Sequence, residues 1–452
     1  MEHFLPSEMN DTSSNRATPI ERLIGPFQEF AKLEAFGGIL LIGCTVIALV
    51  WANSAWAESY AHLWHTNLTF GFGGKTFSEP LHFWINDGLM AVFFLLVGLE
   101  VKRETLAGEL ASFQKAALPA AAALGGMLVP AGIYALINGG GPGASGWGIP
   151  MATDIAFALG VVALLGNRIS TSLRIFLAAL AIADDIGAVL VIALFYTETI
   201  SAAHLAIAGG FLVALIASNR AGIRHPLVYA ILGIGLWVAF LHSGIHATVA
   251  GVLLAMTIPA RRRIDGRAFL EQSEKILGEF HSAEQLEDSI SANARKSTAL
   301  HHLARDCERA ESPMLRFEHA LAPWVSYVIM PVFALANAGV ALGSDIGRQV
   351  VDPVSLGIIC GLALGKPLGV VGFSWVSNRV GVTTLPAGTN WRQIFGVGAL
   401  AGIGFTMSLF IADLAFGSTP LLETAKVGIL VASLISGVVG AIILLKRTSP
   451  KS

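Results

Sequence analysis

Two adjacent aspartates, Asp184 and Asp185, sit in the middle of an otherwise apolar run, LRIFLAALAIADDIGAVLVIALFYT at 173–197. Ionisable side chains at the centre of a membrane-length segment are expensive, and they mark function where they occur. Successive residues on a helix point about 100° apart, so the two carboxylates fan across one sector of the helix surface. An aspartate kept only to hydrogen-bond a neighbouring helix would be single, and Ser, Thr or Asn would more often do that work. Two carboxylates in one partly dehydrated site resist being ionised together. Protons and a small hard cation such as sodium then compete for the same oxygens, which is the chemistry of antiport.

Two interrupted windows accompany the pair. In GIPMATDIAFALGVVALLG, 148–166, Pro150 and the dipeptide Thr153-Asp154 break an apolar run. Thr and Asp are favoured N-caps because their side-chain oxygens accept from exposed backbone N–H groups. Here they would open a half-helix Ile155–Leu165 inside the membrane. The alternative is a short span starting at Asp154, with Trp147 as its interfacial anchor. The second window, GVGALAGIGFTMSLFIADL at 396–414, is glycine-interrupted, with Thr406 near the break and Asp413 toward its outer end. Paired interruptions in the two halves of a chain point to an inverted-repeat transporter with its ion site at the breaks. The repeats would be spans 3–5 and 10–12.

Lys366 stands between Gly365 and Pro367 inside a further apolar run, 353–375. It should face a carboxylate or the negative C-terminal end of a broken helix, unless it lies shallow enough to reach headgroups. Lesser candidates are Asp87 at the start of the second span, where it can serve as a cap, and the charge run Glu100, Lys102, Arg103 and Glu104 at its other end. Glu318-His319 enters the ninth span from the same side, and His246 lies at a helix boundary in GIHAT, 244–248.

These residues need membrane helices to position them, and the composition supplies them. The chain has 452 residues, 54% hydrophobic and 13% charged, against about 25% charged in a typical soluble protein. The 49 glycines also suit membrane helices. A net charge of −2 offers no basic surface for nucleic acid. Cys44, Cys307 and Cys360 have no metal-ligand or disulfide spacing and read as free thiols; no cofactor is implied. Residues 1–33 are polar and mixed in charge, unlike a signal peptide. They form a tail before the membrane domain 34–447, and 448–452 form a second tail.

Apolar runs long enough to span begin near residues 34, 81, 115, 150, 173, 202, 226, 244, 320, 353, 393 and 424, twelve in all. Twelve spans put Lys102, Arg103, Lys115, Arg168, Arg174, Arg220, Arg224, Arg261, Arg262, Arg263, Arg379, Arg392, Lys446 and Arg447 on one side. That asymmetry places both termini in the cytoplasm. NLTFGFGGKTFS, 67–78, reads as a β-hairpin on the outer face. The charged segment 260–318 reads as a solvated cytoplasmic connection. Phe269, Leu270, Ile276, Leu277 and Phe280 recur in it at helical spacing, so part of it should be an amphipathic helix.

At these residues the sequence resembles the NhaA family of bacterial sodium–proton antiporters. The resembling stretches are FWINDGLMAVFFLLVGLEVKRE (83–104), MATDIAFALGVVALLG (151–166), LAALAIADDIGAVLVIALFY (177–196), SGIHATVAGVLLA (243–255), PVFALANAGV (331–340), LALGKPLGV (362–370) and GIGFTMSLFIADLAF (402–416). The resemblance implies an all-α polytopic fold of about twelve transmembrane helices in inverted repeats, with two crossed, interrupted helices. It implies a transporter of the inner membrane, not an enzyme. That transporter would export Na+, and also Li+, for external H+, electrogenically and under pH control.

By the same resemblance Asp184 and Asp185 would bind the transported Na+ and protons, with no other metal. Thr153 and Asp154 would sit at the first broken helix, and Lys366 would offset opposed helix C-termini and pair with Asp184. Glu100, Glu104, Glu318 and His319 would form a pH-responsive cluster, His246 would contribute to pH response, and the hairpin would hold a homodimer together in the lipid bilayer. The segment 264–311 is longer than the compact loop usual in that family. A sodium-coupled symporter would need a roomier polar pocket, for which no intramembrane Arg or aromatic–polar cluster is present. An intramembrane aspartyl protease would need a Gly-Xaa-Gly-Asp motif, which is absent. A channel would be separated from an exchanger by flux and reversal potential.

Overall fold

The computed structural model describes residues 36–446, except 73–74, 198, 262–265, 285–289, 342 and 344. The expected tails 1–33 and 448–452, the hairpin tip Gly73-Gly74 and Arg262, Arg263 and Arg447 therefore lie outside the described residues. Each of the twelve apolar runs contains helix. Helix α1 (Phe36–Ala52) turns by 113° into α2 (Ala57–His65), and strands β1 (Asn67–Phe72) and β2 (Lys75–Pro80) follow as the expected antiparallel hairpin, Leu68 opposite Glu79 and Phe70 opposite Phe77.

The chain then runs through α3 (Leu81–Ala107), α4 (Phe113–Asn138), a 3-10 segment Ala144–Met151 leading into α5 (Ile155–Leu165), α6 (Thr171–Phe195), α7 (Ala202–Arg220), α8 (Pro226–Leu241) and α9 (Val249–Thr257). After the helix pair α10 (Gly266–Glu284) and α11 (Ile290–Ala310) come α12 (Pro313–Asn337), the short α13 (Ile346–Val351), α14 (Pro353–Arg379), α15 (Trp391–Ala401), α16 (Phe405–Phe416) and α17 (Pro420–Leu445).

Among the described residues eight helices are long and apolar enough to cross a membrane, or ten if each of two bent pairs is one span. The remaining two runs are shorter: α8 has 16 residues and α9 has 9. The run expected from residue 244 is helical only from Val249, because Gly244 adopts φ +87° and His246 to Thr248 turn the chain. Traced from span to span, the hairpin, the N-terminal end of α3 and the C-terminal ends of α12 and α16 share one face. The α10–α11 pair and the basic helix ends share the other.

The segment 260–318 contains the expected helix, α10, and a second one, α11. Its described part is two helices packed on each other, with Ile276, Ala283 and Ala299 buried while Leu270 and Leu277 of the expected stripe stay exposed.

Local chemistry explains where the long helices deviate. The π turns Val325–Ile329 in α12 and Gly361–Gly365 in α14 each lie one turn before a proline, Pro331 and Pro367. Proline gives no N–H and crowds the carbonyl four residues back, and a widened turn absorbs both. The close packing of α14 on α4 rests on glycine. A Cβ at Gly369 would stand 2.1 Å from the Gly125 carbonyl oxygen, and one at Gly125 would stand 2.2 Å from the Gly369 oxygen. Such backbone approach is how membrane helices pack without a hydrophobic driving force, and it seats the stem of Lys366 beside Gly126.

Gly125→Ala or Gly369→Ala should therefore push α4 from α14 at about 1–3 kcal/mol, the usual range for overpacking, and lower the melting temperature in detergent. Gly132→Ala on the same helix meets nothing within 4 Å and should leave melting unchanged.

Candidate ion-binding site at two crossed helix breaks

Helix interruptions inside a membrane strand backbone groups that lipid cannot satisfy. Here the two interruptions satisfy each other. The first, Ala152 to Asp154, separates the 3-10 segment from α5; the second, Gly402 to Gly404, separates α15 from α16 with a 47° bend. Asp154 N donates to Ile403 O at 2.7 Å across the crossing.

Asp154 is the N-cap of α5, as expected: its Oδ1 accepts from Phe157 N at 2.9 Å. Its Oδ2 accepts from Thr406 N at 3.1 Å and from Thr406 Oγ1 at 2.5 Å in the first turn of α16. One carboxylate thus faces the positive ends of two half-helices, the placement that helix dipoles favour. Because a 3-10 segment precedes it, Asp154 does not start a short span; the alternative anchored at Trp147 fails.

The C-terminal ends at the crossing receive donors. Lys366 Nζ donates to Met151 O, the last residue of the 3-10 segment, and to Asp184 Oδ2 at 2.6 Å. Lys366 is 1% exposed, so it does not reach headgroups. Both sequence expectations for it hold at once. Thr153 is not a cap. Its Oγ1 lies 2.7 Å from Asp184 Oδ2 and 2.8 Å from Ala401 O, the end of α15. A hydroxyl has one proton to donate, so it serves the carboxylate or the carbonyl at any moment.

Asp184 and Asp185 project from the middle of α6, each 1% exposed. Asp184 uses Oδ2 alone. Its Oδ1 and both oxygens of Asp185 are buried with no hydrogen-bond partner among the described residues. Buried polar atoms are nearly always paired, so three orphan carboxylate oxygens in one place are a concentrated departure from that rule.

The other expected residues form separate groups. Glu100, Glu104 and Glu318 gather around Arg103: its Nε is 3.4 Å from Glu318 Oε1 and its Nη2 is 3.1 Å from Glu104 Oε1. Glu100 also acts electrostatically on Asp185, which links this cluster to the site. His319 stands apart, exposed and paired with Glu311 at 3.1 Å. His246 pairs with Asp87, Nε2 to Oδ1 at 3.4 Å.

Sequence reasoning missed several contributors. Ser433 Oγ on α17 accepts from Phe405 N at 3.1 Å, capping α16 where Gly404 has no side chain to do so. Ser408 Oγ donates to Ile149 O at 2.8 Å. Lys102, named from the sequence only as part of a charged helix end, donates from Nζ to Ala255 O, Met256 O and Ile258 O at 3.2, 2.8 and 2.5 Å, closing the C-terminal end of α9. A serine or a lysine at a helix end carries no sequence signal that names its partner.

The family model for Na+/H+ antiporter 1 matches residues 28–444. The chain belongs to this family. It is 52% identical over 443 residues to a Na(+)/H(+) antiporter NhaA of Koribacter versatilis, covering 98% of this chain and 96% of the relative. It is 51% identical to a Na(+)/H(+) antiporter NhaA of Oleidesulfovibrio alaskensis over 419 residues, 93% of each. A Na(+)/H(+) antiporter NhaA 2 of Syntrophotalea carbinolica shares 52% over 430 residues, 94% of this chain and 98% of its own. Membership makes the chain a multi-pass membrane transporter of the sodium–proton exchange class, and the resemblance drawn from its motifs holds over nearly its whole length.

Removing one partner of a buried ion pair costs about 3–5 kcal/mol, because the other charge is left alone. Lys366→Ala should therefore lower the melting temperature of the purified antiporter sharply. Lys366→Arg keeps a charge but spreads it over a planar fork, and should recover melting better than exchange rate. An unchanged melting temperature for Lys366→Ala would contradict the buried pair.

Proposed function

We propose that the protein exports Na+ in exchange for external H+ by letting the cation and protons compete for Asp184 and Asp185. The observation that carries this reading is the set of three buried carboxylate oxygens without partners, at the crossing of the two helix breaks. A small hard cation suits such oxygens, together with the Thr153 hydroxyl and broken-helix carbonyls; protons satisfy them equally by neutralising the carboxylates. The two occupants exclude one another. Exposing the site alternately to the two faces, by rocking one repeat against the other, then couples their movement.

Lys366 takes part by competition of its own. Its ammonium already occupies Asp184 Oδ2, so an arriving Na+ displaces it or shares the carboxylate with it. Asp154 belongs to the frame: its oxygens are committed to the N-terminal ends of α5 and α16 and hold the breaks in register. Two carboxylates that take protons where one Na+ leaves would move net charge, which makes the cycle electrogenic. Li+ is a hard cation of the same kind and would use the same oxygens.

Regulation by pH is assigned to Glu100, Glu104 and Glu318 around Arg103, to the exposed His319 paired with Glu311, and to His246 on the opposite face. The basic helix ends orient the face bearing α10 and α11 to the cytoplasm of a bacterial inner membrane, both termini inside. The hairpin face is then outside, and exposed Leu68 and Phe70 on β1 offer a homodimer contact there.

The test is exchange in proteoliposomes driven by a sodium gradient and read by an internal pH dye. Asp184→Asn and Asp185→Asn fill the same space but cannot titrate, and each should abolish the sodium-dependent pH change while melting and eluting as a folded protein. Wild-type-like exchange in both variants would remove the pair from the mechanism.

A further inference from the structure

A second buried polar assembly lies at the hairpin-face end of α16, and the exchange chemistry leaves it unused. Asp413 Oδ2 accepts from Asn86 Nδ2 at 2.8 Å. Asn86 Oδ1 accepts from Asn337 Nδ2 at 2.9 Å, which also donates to Phe333 O of its own helix at 3.0 Å. His82 Nε2 lies 3.1 Å from Asn337 Oδ1 and 3.2 Å from Asn86 Nδ2. Asn86 and Asn337 are 3% and 2% exposed. One carboxylate and two amides therefore tie α16 to α3 and α12 where all three approach the hairpin.

The next residue of α3, Asp87, has partners of its own on α8 and in the turn before α9. Trp237 Nε1 donates to its backbone oxygen at 3.2 Å, and its Oδ1 meets His246 Nε2. His246 Nδ1 lies 2.8 Å from Thr248 Oγ1 and 3.4 Å from Thr248 N, which leaves Nε2 as the ring nitrogen facing Asp87. Asn86 and Asp87 both stand in the π turn Trp84–Leu89, and such turns collect at functional sites.

Helix α16 joins this assembly to the ion site. Its first turn is held by Asp154 through Thr406, and its residues from Phe405 to Ala412 are buried throughout. Asp413 is seven residues beyond Thr406, about 10 Å along the axis. The half-helix is thus pinned at both ends, and a rigid rod cannot tilt about one end without releasing the other.

We propose that the Asn86–Asp413 hydrogen bond is a latch that keeps the hairpin-face approach to the ion site shut, released when that face opens. Asp413 is a positioning residue: it acts through α16 and does not touch the ion. The groups facing it are Asn86, Asn337, His82 and, across the π turn, Asp87. The latch rests on the alternating exposure of Asp184–Asp185 proposed above.

The test is the KM for sodium at each face, in proteoliposomes of one orientation. A hydrogen bond to a charged acceptor corresponds to about tenfold or more in a two-state population, and apparent affinity follows the competent fraction. Asp413→Ala should lower the hairpin-face KM about tenfold relative to the other face. Asn86→Ala also loses its bonds to Asn337 and should lower that KM at least as much, and the double variant should fall short of the sum of the two, because both singles remove the shared Asn86–Asp413 bond. Asp413→Asn keeps the volume and an acceptor oxygen but loses the charge; it should shift the ratio less, and it carries the test if Asp413→Ala does not fold. An unmoved ratio, equal movement at both faces, or an additive double variant overturns the latch. Exchange with an unmoved ratio would leave the ion site standing, since that reading fails separately, in the Asp184→Asn and Asp185→Asn vesicles.

Discussion

The backbone must stay hydrogen-bonded inside lipid, and the rest of this structure follows from how two broken helices meet that demand. Each break strands N–H groups on one side and carbonyls on the other. Crossing the breaks lets one carboxylate, Asp154, take the N–H groups of both half-helices, while Thr153 and Lys366 approach the carbonyls of Ala401 and Met151. The signs match the dipoles: an anion at the N-terminal ends and a cation at a C-terminal end. No charge in this frame is free to bind an ion. That leaves Asp184 and Asp185, on a continuous helix beside the crossing, as the carboxylates with oxygens to spare.

A frame of this kind works only if its parts cannot drift. Glycine contacts between α4 and α14 bring backbones together and fix where Lys366 enters. Gly402 at the second break is equally constrained, since a Cβ there would stand 2.4 Å from Leu362 O. Helix α17 supplies Ser433 to the same break. The apolar surface around these groups is interchangeable with many others; the glycines and serines are not, because each answers a particular backbone atom.

What could be seen in the sequence and what could not follows from the cost of each group. Asp184, Asp185, Asp154 and Lys366 stood out because a charge in an apolar run has few structural excuses. The breaks showed as glycine and proline interruptions, and Asp154 capped α5 as its type suggests. Thr153, expected as a second cap, serves instead as a hydroxyl between Asp184 and Ala401, because Asp154, in extended backbone, takes the cap position itself. The twelve runs became helices of unequal length, since hydropathy cannot see that Gly244 takes a positive φ. The partnership of Asn86 with Asp413 joins residues 327 positions apart, and nothing in either local context announces it. Periodicity in 260–318 revealed helix but not that two helices would pack on each other and bury Ile276, Ala283 and Ala299.

An exchanger differs from a tight binder in what its site leaves undone. If the crossing satisfied every oxygen of Asp184 and Asp185 as it satisfies those of Asp154, neither sodium nor protons would gain by entering. If it satisfied none, the buried carboxylates would stay neutral and sodium could not displace their protons. The arrangement lies between these limits: Lys366 and Thr153 share one oxygen of Asp184, and the remaining three have no protein partner. On the proposed exchange, Lys366 would set that balance, as both the cation that favours ionisation of Asp184 in a low dielectric and a competitor for the oxygen an incoming ion needs. Its attachment to Met151 O keeps it within reach when displaced. On that proposal the same lysine that completes the helix frame would also keep the ion site reversible.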